Sequence, residues 1–188
     1  MREYQRVIEA LSPIGPGVLP AQQLMQHVTA QVSQATDITR PKVLRFRPDR
    51  GDLLVEAGVG WKPGVVGNAT LAVDYKSPAG RAFQTGAPVT IEDIRETDEF
   101  RNPELLREHG IVSVINVPIL IDGATWGVLE ADNTQPSSFD QWDISFLSVV
   151  ANNIGVCLAL ELASSRGARR EILLAANTPG EPLAAAGI

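Results

Sequence analysis

Few side chains in this 188-residue sequence can carry chemistry. Two histidines, His27 and His109, and a single cysteine, Cys157, are the whole supply of imidazole and thiol. A histidine-based metal centre needs a second ligand on the same helical face, and neither histidine has another at i+3 or i+4. One thiol makes no internal disulfide, no redox pair and no cysteine-based metal site. The glycine-rich "GVGWKPGVVGN" lacks the Lys-Ser/Thr ending of a phosphate loop and opens no clear helix, so it reads as a loop. The acidic "EDIRETDEF" reads as a solvated loop, with calcium left open there. No residue is assigned to catalysis and none to a metal.

What remains is a pair of polar residues in an apolar hairpin, "SVINVPILIDGATWGVLEADN", Ser113 to Asn133. With Asp122-Gly123 as the turn, Ile121 is expected opposite Ala124, Ile119 opposite Trp126, Val117 opposite Val128, Ile115 opposite Glu130 and Ser113 opposite Asp132. Those ten side chains would share one face, and Ser113 and Glu130 would lie on it among Ile, Val and Trp. A buried carboxylate without a partner costs several kcal/mol, so Glu130 must be satisfied. A helix N-terminus, Arg81 or Arg101, and a donor on a bound ligand all remain open. Pro118, expected opposite Gly127, reads as a bulge or a sheet edge.

The elements that must position this hairpin follow from local signals. Residues 3 to 11 and 20 to 36 read as helices, separated by the Pro- and Gly-rich "SPIGPGVLP". "KVLRFR" and "DLLVEAGV" flank "PDRG" as a first hairpin. "SPAGRAFQTG" carries a Ser cap, a Pro at the first helical position and a Gly stop, and the strand "PVTI" follows. Asn102-Pro103 and Gly110 bracket one or two helical turns in "PELLREH". Ser138 and Gln141 form a capping box for a long helix from about Phe139 to Ser165, with Ile144, Leu147, Ile154, Leu158 and Leu162 on its apolar face. Residues 166 to 188 read as a disordered tail. Both faces of the second hairpin are mainly apolar, so long helices are expected to cover one side and short helices, less completely, the other.

Composition bounds the function. A net charge of -6 with no basic run before Arg166 argues against nucleic acid. The start of the chain has no signal-peptide run and no window reads as a membrane span, so a cytoplasmic protein without membrane insertion is expected.

The ordered set of helix, hairpin, "GVGW", "SPAGRAFQTGAPVTIEDI", "GIVSVINVPI", "GATWGVLEADN" and final helix resembles the GAF domain family, over roughly residues 20 to 163, and looks most like modules at the front of bacterial sensor kinases. The resemblance implies an α+β, PAS-related fold: a five- or six-stranded antiparallel sheet, terminal helices on one face, and a ligand chamber roofed by short helices on the other. It divides the chain into residues 1–19, a sensor domain at 20–165, and 166–188. From cyclic-nucleotide-binding members it carries over Val59, Ala79, Phe100, Ser113 and Glu130 as the pocket; Phe83, one turn from Ala79, is added as an apolar wall.

Departures from the family's patterns narrow the cofactor. Asn133, Phe139 and Asp143 match a motif of cyclic-nucleotide binders, but Thr134 and Ile144 replace its Lys and Glu. Arg101 and Asn102 stand where bilin-binding members have Cys-His, which speaks against a covalent chromophore. The methionine sulfoxide reductases of this fold need several cysteines, whereas Cys157 is alone. Haem-binding members place an iron ligand near His109, and a helix C-terminal role is the other reading of that residue.

The expected function is therefore non-catalytic: a sensory module, in two-component or related signalling, that binds an unidentified small molecule. Occupancy would pass through a homodimer of the terminal helices, with Val149, Val150, Cys157 and Leu160 as the surplus apolar face. A ligand-free dimerisation or partner-docking module is the alternative.

Overall fold

A computed structural model describes residues 19–36 and 38–176. The first helix, α1 (Ala21–Ala35), leads to β1 (Arg40–Arg47) and β2 (Asp52–Gly58), the hairpin expected around "PDRG". A short β3 (Thr70–Ala72), which the sequence reading does not contain, precedes α2 (Pro78–Thr85) and β4 (Val89–Ile91). Then come α3 (Glu104–Glu108), the hairpin β5 (Ser113–Ile121) and β6 (Ala124–Asn133), and the long α4 (Gln141–Ala176). The strands form one antiparallel sheet in the order β3-β2-β1-β6-β5-β4.

Local chemistry sets the ends of these elements. Ser77 Oγ accepts from the Gly80 N–H at 3.1 Å to start α2, and Gly86 ends it in the left-handed region. Asp122 and Gly123 both have positive φ, as a two-residue hairpin turn requires. The cap of α4 differs from expectation. Asp140 Oδ1 accepts from the N–H groups of Trp142 and Asp143, and Asp143 Oδ2 accepts from that of Asp140, so the capping box is Asp140/Asp143 rather than Ser138/Gln141. The helix continues to Ala176 instead of ending near Ser165. The expected helix at residues 3 to 11, the break "SPIGPGVLP" up to Gly17 and Val18, and the end of the tail lie outside the described residues.

Helices α1 and α4 back one face of the sheet. Leu24, Val28 and Val32 from α1 meet Leu147, Val150, Ile154 and Leu158 from α4 over Val43, Ile115, Val117, Ile119, Leu129 and Ala131. Burying such side chains stabilises the fold by about 1.5–3 kcal/mol each. Glu161 ties the two helices, its Oε2 accepting from the Ala21 N–H at 2.8 Å at the positive end of α1. Leu162, expected on the buried face, is exposed, whereas Val150 and Cys157, expected on the outer surplus, are in the core. By length and composition Gln141–Arg166 is apolar enough to cross a bilayer, where the sequence reading expects no such window. The inner side of that stretch is spent on the sheet.

The other face is covered in two patches. Leu44, Leu53, Val55, Val65, Leu71 and Val128 pack under Ala79, Ala82 and Phe83 of α2. Ile91, Ile94, Leu106, Ile111 and Val114 form the second patch, with Phe100 at its side. Trp61 touches both patches.

The hairpin register departs from the expected one. Ile121 pairs with Ala124 and Leu120 with Thr125, but Ile119 pairs with Gly127, so Trp126 is an extra residue in a β-bulge. Every later pair slips by one: Val117 faces Leu129, Asn116 faces Glu130 and Ser113 faces Asn133. Pro118 consequently lies opposite Val128, at a level that β4 does not reach. Gly127 is needed because a Cβ there would stand 2.2 Å from the Leu44 carbonyl oxygen on β1.

Candidate functional site

The register slip decides which polar residues meet. Ser113 takes the parity of Ile115 and Val117, towards the helix-backed side, and its Oγ donates to the Gln135 carbonyl at 2.9 Å. Glu130 lies on the roofed side. The expectation that Ser113 and Glu130 share a face is thus corrected, and the bulge at Trp126 is the reason.

On the roofed side Glu130 is flanked by strand neighbours at one level: Lys42 on β1 and Asn116 on β5. Lys42 Nζ is 2.8 Å from Glu130 Oε1 and pairs as well with Asp132 Oδ2, two residues further along β6. The Trp61 ring lies over the ammonium, 4.3 Å from Nζ to the centroid. All four of Lys42, Asn116, Glu130 and Asp132 are buried, with none above 1% exposed. The partners expected for Glu130 are engaged elsewhere, Arg81 with Glu99 and Arg101 with Asp74. Lys42 is the residue that sequence reasoning missed. Its signal was the alternation in "KVLRFR", which puts Lys42 on the same side as Leu44 and Phe46.

The electrostatics follow from burial. Desolvation alone would lower the Lys42 pKa, but Asp132 and Glu130 outweigh it and hold the ammonium above the ordinary lysine value. Asp132 is pushed well above the usual carboxylate range, first by burial and then by the neighbouring Glu130 charge, with Lys42 opposing. Two carboxyl groups share one ammonium, so the second proton is hard to remove. Among the described residues both amide atoms of Asn116 have no hydrogen-bond partner, and Glu130 Oε2 and Asp132 Oδ1 have none beyond the proton that the two carboxyl groups can share. A buried polar atom left unpaired costs about 1–3 kcal/mol.

The remaining predicted residues surround this cluster at a distance. Ala79 is buried in α2, and Phe83 stacks on Phe46 with ring centroids 4.5 Å apart. Phe100 lies beneath the Arg81 guanidinium, 4.2 Å from the ring centroid. Val59 is half-buried past the end of β2, its N–H donating to the Pro41 carbonyl. None of them is a hydrogen-bond or ion-pair partner of Glu130 among the described residues. Three hollows on the described surface lie away from this cluster: one of about 620 Å³ beside Lys62, Leu105, Glu108 and His109, and two, of about 350 and 420 Å³, near Trp126 and Leu162.

His109 does not fit an iron ligand. Its Nδ1–H donates to the Leu105 carbonyl at 2.8 Å, and its Nε2 accepts from the Lys62 N–H at 3.2 Å, so no lone pair is left. Among the described residues no group of three or more His, Cys, Asp or Glu gathers at one point. Of the residues matching the cyclic-nucleotide motif, Asn133 accepts from the Thr39 N–H, Phe139 packs on the helix-backed core and Asp143 caps α4.

The family model described as GAF domain matches residues 20–158 of this chain. The chain belongs to the GAF domain family. Solved structures agree on the fold. The GAF domain from Acinetobacter phosphoenolpyruvate-protein phosphotransferase is similar with a TM-score of 0.70 at 19% identity, over 88% of this chain and 95% of that one. The A. aeolicus nlh2 GAF domain in an inactive state gives 0.69 at 16% identity, over 85% and 97%. A free methionine-R-sulfoxide reductase from Neisseria meningitidis, in complex with its substrate, gives 0.74 at 17% identity, over 86% and 91%. At such identities the likeness is one of fold. A search among curated proteins finds no match. Enzymes therefore exist on this GAF fold, but this GAF domain has one cysteine, Cys157, whose thiol burial pushes up, away from the reactive thiolate.

Proposed function

We propose that this GAF domain is a non-catalytic, cytoplasmic sensory module that binds a small molecule on the roofed face of its sheet and reports occupancy through its terminal helices. The observation that carries this reading is the buried row of Lys42, Glu130 and Asn116 with Asp132, in which both amide atoms of Asn116 have no hydrogen-bond partner among the described residues. Native folds rarely keep such atoms without a use. The Neisseria reductase, solved with its substrate, supports the idea that this fold can enclose a small molecule. Among the described residues no acid–base pair aimed at an open cleft accompanies the cluster, and the lone thiol is buried on the helix-backed side, which favours binding over catalysis.

Transmission has a physical route. Asn116 belongs to β5, and the neighbouring Ile115, Val117 and Ile119 pack directly under α4. At the strand's end the α4 backbone touches β5, since a Cβ on Gly155 would stand 2.2 Å from the Leu120 carbonyl oxygen. A ligand that moves β5 therefore moves α4. Trp142, Val149 and Val156 recur every seven residues on the outer side of α4, exposed and joined by Leu160, the spacing of a parallel helix dimer. Output through a two-component or related partner is part of the proposal, and the acidic chain speaks against nucleic acid.

The experiment is a thermal-shift screen of metabolites on wild-type protein and on Glu130→Gln. A compound that raises Tm in the first and loses its effect in the second supports the site. Hits whose shifts are unchanged by the substitution overturn it. A second reading, a ligand-free dimerisation or docking module, is favoured by one observation: Lys42 already fills the space between Glu130 and Asp132. Native mass spectrometry showing a dimer with no added mass, together with a silent screen, would select it.

A further inference from the structure

Lys42 is held as a ligand would be held. Its side chain is fully buried, Nζ meets Glu130 Oε1 at 2.8 Å and Asp132 Oδ2 in direct contact, and an indole face covers it. Paired carboxylates and an aromatic face are the chemistry that selects a protonated amine. Beside it, both amide atoms of the buried Asn116 have no hydrogen-bond partner among the described residues. Asn116, fully buried at the level of Glu130, supplies the polar side chain that a structural ion pair would not need.

Trp61 and His109 lie in succession between the ammonium and a surface groove. Trp61 stands between Gly60 and Gly64, both at positive φ, and its ring packs edge-on against His109 with centroids 4.8 Å apart. His109 and Lys62 in turn line the groove of about 620 Å³ on the surface. Successive ring contacts through His109 and Trp61 thus connect that groove to the Lys42 ammonium.

We propose that Lys42, Asn116, Glu130, Asp132 and Trp61 form an ammonium-binding site whose built-in occupant is Lys42, and that the ligand class is a small molecule bearing a protonated amine, which enters beneath Trp61 and displaces the lysine. This rests on the sensory reading above. Burial and the neighbouring Glu130 raise the Asp132 pKa, and a cation bound beside it acts in the opposite direction, as Lys42 does. Displacement of the lysine lifts Trp61 and frees β1 from its ionic tie to β6, which is the structural change a sensor needs.

The test removes the occupant and returns it in solution. Lys42→Ala is titrated with n-propylammonium, which replaces the deleted atoms, and with n-propanol as the uncharged control. The expected result is a saturable Tm rise of roughly 5–10 °C at about 100-fold excess over Kd for the amine and none for the alcohol. If the variant is recovered unfolded, the yield of refolding from urea with each compound reads the same selectivity. Equal effects of amine and alcohol, or no effect of either, overturn the proposal. In wild-type protein the ¹⁵N-detected ammonium resonance of Lys42, assigned through Lys42→Arg, should shift or exchange faster when amino acids or diamines raise Tm. A compound that acts through Glu130 while that resonance stays put leaves the sensory reading standing and overturns this one. A silent metabolite screen with n-propylammonium still rescuing Lys42→Ala keeps the ammonium site but overturns displacement of the lysine by a second amine.

Discussion

Lys42 on β1 and Glu130 on β6 are direct cross-strand partners whose charged ends meet 2.8 Å apart, with no more than 2% of either side chain exposed. Such a pair gives little net stability over apolar residues, yet removing one partner strands the other. With Asp132 on the same ammonium, the lysine is, among the described residues, the one cation paired with these two buried carboxyl groups.

Lys42→Met should therefore cost about 3–5 kcal/mol at neutral pH. Its cost should shrink in acid, because Asp132, without the cation, rises further above its unfolded pKa. A carboxyl raised in the folded state binds a proton that the unfolded chain has released, so stability falls as pH climbs through the ordinary carboxylate range. Urea unfolding at pH 5 and at pH 7.5 measures this, and equal costs at both would contradict it.

The wild-type protein has its own pH signature. Asp132 is raised, so it penalises folding increasingly as pH rises from about 4 towards its folded pKa. Asp132→Asn removes that penalty, and its stability relative to wild type should improve over this interval. Lys42 is raised as well, so its contribution is complete below the ordinary value of 10.5 and lost as pH climbs past it. Guanidinium titrations from pH 4 to 11 follow both trends.

Gly155→Ala should destabilise, against the usual helical preference for alanine of about 1 kcal/mol. The new Cβ would meet the Leu120 carbonyl oxygen at 2.2 Å and push α4 off β5. A loss of about 1–3 kcal/mol is expected from such overpacking. A rise in Tm would show that α4 does not touch the strand there.

Val149→Glu combined with Val156→Glu places charge on the outer stripe of α4, where the two valines are 47% and 55% exposed. Stability of the monomer should change by no more than about 0.5 kcal/mol. Sedimentation velocity should show wild type as a dimer at micromolar concentration and the double variant as a monomer. A variant that remains dimeric would assign the interface elsewhere.

Much of the fold was legible because its signals are local. The Asp122-Gly123 turn, the Ser77 cap and the Gly86 stop act through atoms a few residues away, so residue type alone specifies them. The final helix was legible from its period, although its cap moved to Asp140 because that carboxylate reaches two backbone N–H groups. Family order supplied the six-stranded arrangement, within the five or six expected. Strand β3, only three residues long, carries too little alternation to be read.

By itself the sequence determined the elements, their order and the presence of a carboxylate too costly to bury alone. Only the tertiary structure decided which residues meet it. The bulge at Trp126 depends on β1, whose Leu44 carbonyl approaches Gly127 too closely for any side chain, and that contact turned Ser113 to one face and Glu130 to the other. The pairing with Lys42 joins strands far apart in the chain, and no local preference encodes a register between them.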